Sequence, residues 1–344
     1  MFMSKHILIL VTAIACVCAA QQATSQEVIT TQTHRLTEVI DNVYLAQSIA
    51  PLFNSNALIL INDDDVIVID SHITPQKGRE LIASISKITS KPITTLINSH
   101  FHYDHSHGNQ VFGPDVEIIG HEYTRMKMAG APLAEETFVR GKARNIAALE
   151  DLRRELEAAM DADRRAELQA RHDLLAEHVK SWNEVAPVPP NVTLHKRMTL
   201  FRGDREIQLL FLGRAHTGGD ISVYLPNEGL IFTGDMMLER PSWLGDGYVD
   251  EWDETLENLK QLDFEIIVPG HGNPFREREM ITYVQDFYRD LWAKTAAMHE
   301  QGVSVEEAAA SIDMTNHADT LGITEVGFDP SGIARMYARM EGAD

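Results

Sequence analysis

In the run NSHFHYDHSHGN (98–109), His100, His102, Asp104, His105 and His107 fall within eight positions, and they include four of the chain's fifteen histidines. Imidazole nitrogens beside a carboxylate are the donors that a borderline-soft divalent cation such as zinc takes. A solvated polar loop is the plain alternative, but nothing about solvation would repeat histidine at this spacing. Four further stretches present similar groups: VID ends at Asp70, GRAHTGGD holds His216, FTGDMM holds Asp235 and VPGHGNP holds His271. Each follows a stretch that reads as a β-strand, most of them in Gly-rich turns, where the backbone can bend sharply and aim a side chain into a cleft. In extended backbone, residues two apart point the same way, so His100, His102 and Asp104 are expected to converge while His105 turns towards a second centre. Counting donors gives His100, His102 and His216 for one metal and Asp104, His105 and His271 for another. Asp235 is left over and could bridge them.

That donor count suits a particular chemistry. Two cations about 3.5–4 Å apart can share a water and lower its pKa towards about 7, giving a bridging hydroxide at neutral pH that attacks a carbonyl carbon. Asp104 is the catalytic candidate, since a ligand carboxylate can also orient the nucleophile or shuttle its proton.

The run HFHYDH resembles the HxHxDH signature of the metallo-β-lactamase fold superfamily, and Asp70, His216, Asp235 and His271 match its other motifs in order. The resemblance covers roughly residues 38–275, apart from a helical insert. It implies an α/β fold, an αββα sandwich of two mixed β-sheets flanked by helices, with two Zn2+ ions at one edge between the sheets; iron or manganese are the alternative metals. It also implies that Asp70 stands behind a ligand histidine and accepts its free ring N–H. His107 occupies a position where many relatives have glycine. It is read as packing or support, because both donor sets are already complete. A bridging aspartate resembles thioesterase, lactonase and phosphodiesterase branches, whereas the best-known β-lactamase branches carry Cys or Ser near the second metal. The expected function is an exported dinuclear zinc hydrolase of an activated or cyclic carbonyl: lactone, ester, thioester or β-lactam. A true β-lactamase, a mononuclear iron persulfide dioxygenase and a non-catalytic metal-binding protein are the competing readings.

Positioning these groups requires strands that end at the motifs. VYLAQS (43–48) reads as a strand, ALILINDDDVIVID (57–70) as a hairpin and ITTLINS (93–99) as the strand that delivers the histidine run. VEIIG (116–120), REIQLLFLG (205–213), DISVYLP (220–226), GLIFTG (229–234) and EIIVPG (265–270) continue the β character. TPQKGRELIASISKI (74–88) and DETLENLKQL (253–262) have helical spacing. Residues 133–184 break the pattern with an Ala-, Leu-, Glu- and Arg-rich helical hairpin turning near MDAD; His172 and His178 are read as lying on its solvated faces. This insert could be a lid or the surface of a homodimer. A mostly helical extension runs from 275 to 344. ERPSWLGDGYVDEW (239–252) follows Asp235, and Tyr103, Trp243, Leu244, Tyr248 and Trp252 could wall a substrate pocket or simply pack a long loop.

At 344 residues with 44% hydrophobic and 24% charged residues, the composition is globular. The formal net charge of -21 repels nucleic acid and anionic membranes, so a small-molecule substrate is expected and nucleic acid is not. ILILVTAIACVCAA (7–20), preceded by Lys5 and His6, reads as a signal peptide (1–20) too short for a membrane span, with the metallo-hydrolase domain at 21–344. That predicts a periplasmic or secreted protein, with a lipid anchor at Cys16 or Cys18 as the less favoured alternative. Both cysteines lie in this leader, so no thiolate is expected at the site.

Overall fold

The computed structural model describes residues 27–49 and 54–344; the leader and its two cysteines lie outside the described residues. One sheet contains β1 (Val28–Thr30), β2 (His34–Ile40), β3 (Val43–Ser48), β4 (Ala57–Ile61), β5 (Val66–Ile69), β6 (Ile93–Ile97), β7 (Glu117–His121) and β8 (Val192–Leu194), side by side in chain order. The other contains β9 (Arg197–Arg202), β10 (Arg205–Leu210), β11 (Ser222–Leu225), β12 (Leu230–Gly234) and β13 (Ile266–Pro269), ordered β13-β12-β11-β10-β9. Helices α1 (Pro75–Ile85), α2 (Tyr103–Ser106) and α3 (Glu122–Ala129) follow β5, β6 and β7. Between β7 and β8 also stand α4 (Glu136–Ala158) and α5 (Ala162–Ser181). Helix α6 (Val249–Lys260) joins β12 to β13, and α7 (Glu279–Glu300), α8 (Val305–Ser311), α9 (Ala318–Leu321) and α10 (Pro330–Met340) come last.

The strands alternate as a buried sheet requires. In β4, Leu58 and Leu60 face the second sheet, where they meet Ile207, Leu209, Val223, Phe232 and Val268. Ala57, Ile59 and Ile61 face the other way, towards Leu81 and Ile85 of α1. Each fully buried Leu or Ile of this kind contributes about 1.5–3 kcal/mol relative to exposure. Helix α1 starts where Thr74 accepts from Lys77 N, with Pro75 in the first turn, as suits a residue without an N–H. Beyond the second sheet, α6, α7, α8 and α10 bury Trp252, Leu256, Phe287, Tyr288, Ala308 and Ile333. The result is the αββα sandwich that the resemblance implies.

Topology gathers the site. β5, β6, β7 and β8 run parallel, so the ends of β5 and β6 emerge at one edge; β12 and β13, also parallel, do the same in the second sheet. Backbone bonds lock these edges together: Ile221 N donates to Ser99 O (2.9 Å), Gly270 N to Gly234 O (2.7 Å) and Asn56 N to Gly270 O (2.7 Å). Thus Asp70, His100 to His105, Asp235 and His271 are all strand-end residues.

Helices α4 and α5 pair through Leu152, Leu168 and Leu175, with Asp161 capping the second helix by accepting from Arg164 N. Their base rests on the sandwich through Phe138 and Trp182, which pack with Ile73, Tyr103 and Val185. His178 is not on a solvated face. It is buried and accepts from Trp182 Nε1 at 3.1 Å, because the lower end of α5 lies against the sandwich.

Two buried histidines outside the strand-end cluster set a pH dependence. Burial, assisted by the Lys77 charge, lowers His34 on β2 and His178 on α5 to about 4. In the unfolded chain both titrate near 6.5, so below that pH the unfolded state binds more protons. Their contribution to stability is therefore complete above about 6.5 and is lost as pH falls towards about 4. Urea unfolding of metal-free protein between these limits should show a shallower pH slope for His34→Asn than for wild type; identical slopes would refute the assignment.

Candidate metal centre

The histidine run begins as β6 ends. His100 and His102 precede a single helical turn, α2, which places Asp104 and His105 together. This corrects the expectation of continuous extended backbone through Asp104. The turn is closed by Ser106, whose hydroxyl donates to Phe101 O (2.9 Å) and His102 O (3.0 Å), and by backbone bonds from His105 N and Ser106 N to His102 O. Asp104 and His105 face the second donor set because they sit on adjacent corners of that turn, not because the chain alternates.

Three groups of donor atoms lie within 4.8 Å of one another: His100, His102 and His216; Asp104, His105 and His271; and His100, His105 and Asp235. His102 Nδ1 faces His216 Nε2 at 2.9 Å, His105 Nε2 faces His271 Nε2 at 3.3 Å, and Asp104 Oδ2 lies 3.1 Å from His271 Nε2. Asp235 lies between the sets. Its Oδ1 is 3.5 Å from His105 Nε2, and its Oδ2 is 3.7 Å from His216 Nε2 and 3.4 Å from His271 Nε2. His100 Nε2 and Asp235 Oδ1 are buried with no hydrogen-bond partner among the described residues. Buried polar atoms are nearly always satisfied. An orphaned nitrogen in the first set and an orphaned carboxylate oxygen between the sets fit a cation there, and the donor chemistry suits zinc.

Asp70 stands behind His105. Its Oδ2 accepts from His105 Nδ1 (2.7 Å) and from the Ser99 hydroxyl (2.8 Å), while its Oδ1 accepts from Ser99 N (2.8 Å). Asp70 and His72 both have positive φ, 64° and 70°, a region that aspartate and histidine enter more readily than most residues. Missed from sequence is Asp246, whose Oδ2 accepts from His102 Nε2 at 3.0 Å. Its only sequence mark is a carboxylate between two glycines in LGDGY, a pattern common in plain turns.

Charge divides the cluster. Burial lowers His100 well below its usual value, and His105, His102 and His216 push it further; burial and His102 lower His216 to about 3. Burial opposes the shift at His105 and His271, but Asp235, Asp104 and, for His105, Asp70 outweigh it. His105 rises well above its usual value and His271 to about 9. Thus the first set is all imidazole, with His100 and His216 held neutral, and the second is a mixed, carboxylate-rich one.

A cavity of about 540 Å³ opens over the cluster, lined by His102, Asp104, His216, Asp235 and His271 and, on its walls, by Tyr103, Arg140, Arg144, Arg240 and Trp243. Of the expected wall residues, Tyr103 and Trp243 line it. Leu244, Tyr248 and Trp252 do not: Leu244 and Trp252 pack in the core with α6 and α7, where Trp252 stacks on Tyr288, and Tyr248 is buried under the guanidinium groups of Arg214, Arg335 and Arg339. Gly141 of α4 lets the Tyr103 hydroxyl approach the helix, since a Cβ there would lie 2.6 Å from it. His107 packs against the rings of Tyr103 and Phe138, away from the donor sets. His121 caps α3 and bonds His195 O, and His72 pairs with His34; neither joins the cluster.

Gly270 is the tightest approach in the centre. A Cβ there would lie 2.2 Å from Asp235 Oδ1 and 2.9 Å from His105 Cε1. Gly270→Ala should lower metal affinity by at least about tenfold, the scale seen when the surroundings of a ligand set are disturbed. A chelator-competition titration giving wild-type affinity would contradict this geometry.

Comparison with known proteins agrees with the fold. The family model for the metallo-beta-lactamase superfamily matches residues 50–271. The chain is 24% identical over 284 residues to the 2,4-dinitroanisole O-demethylase subunit alpha of Nocardioides sp. (strain JS1661), covering 81% of this chain and 68% of that protein. It is 21% identical to a linear primary-alkylsulfatase of Pseudomonas sp. (strain ATCC 19151), covering 74% of this chain and 49% of that one. Among solved structures, a stereoselective inverting sec-alkylsulfatase from Pseudomonas sp. superposes with a TM-score of 0.64 at 16% identity, over 90% of this chain and 50% of that one. A metallo-beta-lactamase from Pontibacter korlensis gives 0.52 at 18% identity, over 74% and 99%. The chain spans about half the length of these two alkylsulfatases. With residues 50–271 of its 344 matched by the family model, the chain belongs to the metallo-beta-lactamase superfamily of metal-dependent hydrolases.

Proposed function

We propose that the chain is an exported dinuclear zinc hydrolase of small, negatively charged esters, within a wider class of activated or cyclic carbonyl compounds: ester, thioester, lactone or β-lactam. The observation that carries this reading is the pair of donor sets meeting at Asp235 on the floor of a cavity walled by Arg140, Arg144 and Arg240. By their names, two relatives act on an alkyl sulfate and on dinitroanisole, and in both compounds the alkyl group is joined through oxygen. That supports an oxygen ester over an amide. The export part rests on residues 7–20 alone. No helix of the described residues is long and apolar enough to cross a membrane.

His100, His102 and His216 would hold one cation, Asp104, His105 and His271 the other, and Asp235 would reach both. Bound there, the pair supplies Lewis acidity towards a substrate oxygen and draws the pKa of a water towards about 7. The chain's own residues do the rest. The guanidinium groups of Arg140, Arg144 and Arg240 bind and orient the anionic end of the substrate, a role to which a planar fork of donors is suited. Arg144 donates to the Tyr103 phenol, which burial keeps protonated and able to donate in turn. Asp104 stays ionised because His105 and His271 outweigh its burial, so its carboxylate is free to act as a ligand and to accept a hydrogen bond that orients the nucleophile. Trp243, its indole N–H held by Ser331 Oγ at 3.1 Å, closes one side of the cavity against water.

The test is a set of initial rates for zinc-loaded protein on an alkyl sulfate, a nitrophenyl ester ending in a carboxylate, its neutral counterpart, a thioester, a lactone and a cephalosporin. A charged ester should be preferred over its neutral counterpart by at least about tenfold in kcat/KM, the effect of about one good charge-assisted bond. Arg240→Ala should erode that preference through KM, leaving the neutral ester unaffected, and His102→Ala should abolish turnover of all of them. Fastest turnover of the cephalosporin would reassign the substrate. No turnover of any of them by wild type would overturn the reading.

A further inference from the structure

We propose that Asp246 is the positioning residue for His102, holding that imidazole in the tautomer and orientation by which it would join the first metal set. The inference rests on the dinuclear reading above and adds a residue that none of the family's motifs contains.

A neutral imidazole has one N–H and one lone pair. Whichever nitrogen donates leaves the other as the ligand. His102 presents its two nitrogens to different partners: Nδ1 faces His216 Nε2 at 2.9 Å inside the donor set, and Nε2 faces Asp246 Oδ2 at 3.0 Å outside it. A carboxylate can only accept, so Nε2 must carry the proton and Nδ1 is left with its lone pair aimed at the set. The His102 ring is buried and Asp246 is partly covered, its side chain 23% exposed.

The backbone that carries Asp246 is built to place it. Gly247 N donates to Leu244 O at 2.9 Å and closes a tight turn around Gly245 and Asp246. Gly245 allows Trp243 to fold back over the turn, since a Cβ there would lie 2.0 Å from the indole. Tyr248 N donates to Ala215 O at 2.8 Å, tying the turn to the residue beside His216. From α10, Arg335 Nε donates to Gly247 O at 3.1 Å. Two ligands of the first set, His102 and His216, are thus referenced to one loop.

Asp70 and Asp246 then play the same part for the two sets from different depths. Asp70 is fully buried behind His105, whereas Asp246 belongs to the loop that begins with Trp243 at the cavity wall. Losing Asp246 should weaken the first set and spare the second.

The experiment compares wild type, Asp246→Ala and Asp246→Asn by zinc content after dialysis, chelator-competition affinities for each bound zinc, and the visible spectrum of the cobalt-substituted proteins. Wild type should bind two zincs. Asp246→Ala should bind one of them about 10–100-fold more weakly with the other unchanged, and its cobalt spectrum should change. Asp246→Asn, which keeps an acceptor oxygen without the charge, should recover part of the loss. If the alanine variant does not fold, judged by thermal unfolding of the metal-free protein, the asparagine variant decides alone by a smaller loss confined to the same one zinc. Two tight zincs with unaltered affinities and spectrum in the variants would overturn the role of Asp246 and leave the dinuclear reading standing. A wild type that binds neither zinc nor cobalt would overturn both.

Discussion

Seven imidazoles and carboxylates, His100, His102, Asp104, His105, His216, Asp235 and His271, lie within a few ångströms of one another, most of them shielded from water. That crowding is the constraint on which the rest of the molecule depends. Removing ionisable groups from solvent is costly unless opposite charge or hydrogen bonds replace the water. Here Asp70, Asp104 and Asp235 compensate the His105 and His271 side. On the other side imidazole faces imidazole, His102 Nδ1 against His216 Nε2, with Asp246 as the carboxylate behind His102. The two sheets hold these groups from both sides, and the backbone bonds that join their edges fix the separation between the sets.

Much of this was legible in the sequence because metal ligation is local in the chain. The spacing of His100, His102, Asp104 and His105 is set by a few bonds, and the hairpin of β4 and β5 announces itself by two β-branched runs around NDDD. What stayed hidden depends on distant partners. β1 is a three-residue edge strand, and β2 beside it mixes polar residues, such as Thr37 and Glu38, with apolar ones without a clear period. The turn of α2 is too short to show helical spacing. Leu244, Tyr248 and Trp252 look alike in sequence whether they face a cavity or a core; the packing of α6 against α7 decides, and it is fixed some forty residues further on. Asp246 reaches His102 across 144 positions, beyond any pattern that a linear reading can weigh.

Charge shows the same contrast between average and place. A net charge of -21 argues against anionic ligands at long range, where screening leaves only the overall field. At the cavity wall the local balance differs, because Arg140, Arg144 and Arg240 line it together. Arg140 and Arg144 sit one turn apart on α4, and Glu136, four before Arg140, offers the opposite-charge spacing that signals a surface salt bridge, which forms. Only the docking of Phe138 and Trp182 against Tyr103 turns that face of the helix towards the cavity.

The parts are divided unequally between sandwich and hairpin. The donor atoms of the cluster come from the ends of sandwich strands and the turns and loops beside them, and Arg240 comes from such a loop too, while Arg140 and Arg144 come from a helix inserted between β7 and β8. A change confined to the insert would therefore reshape one wall of the cavity and leave the donor sets where they are.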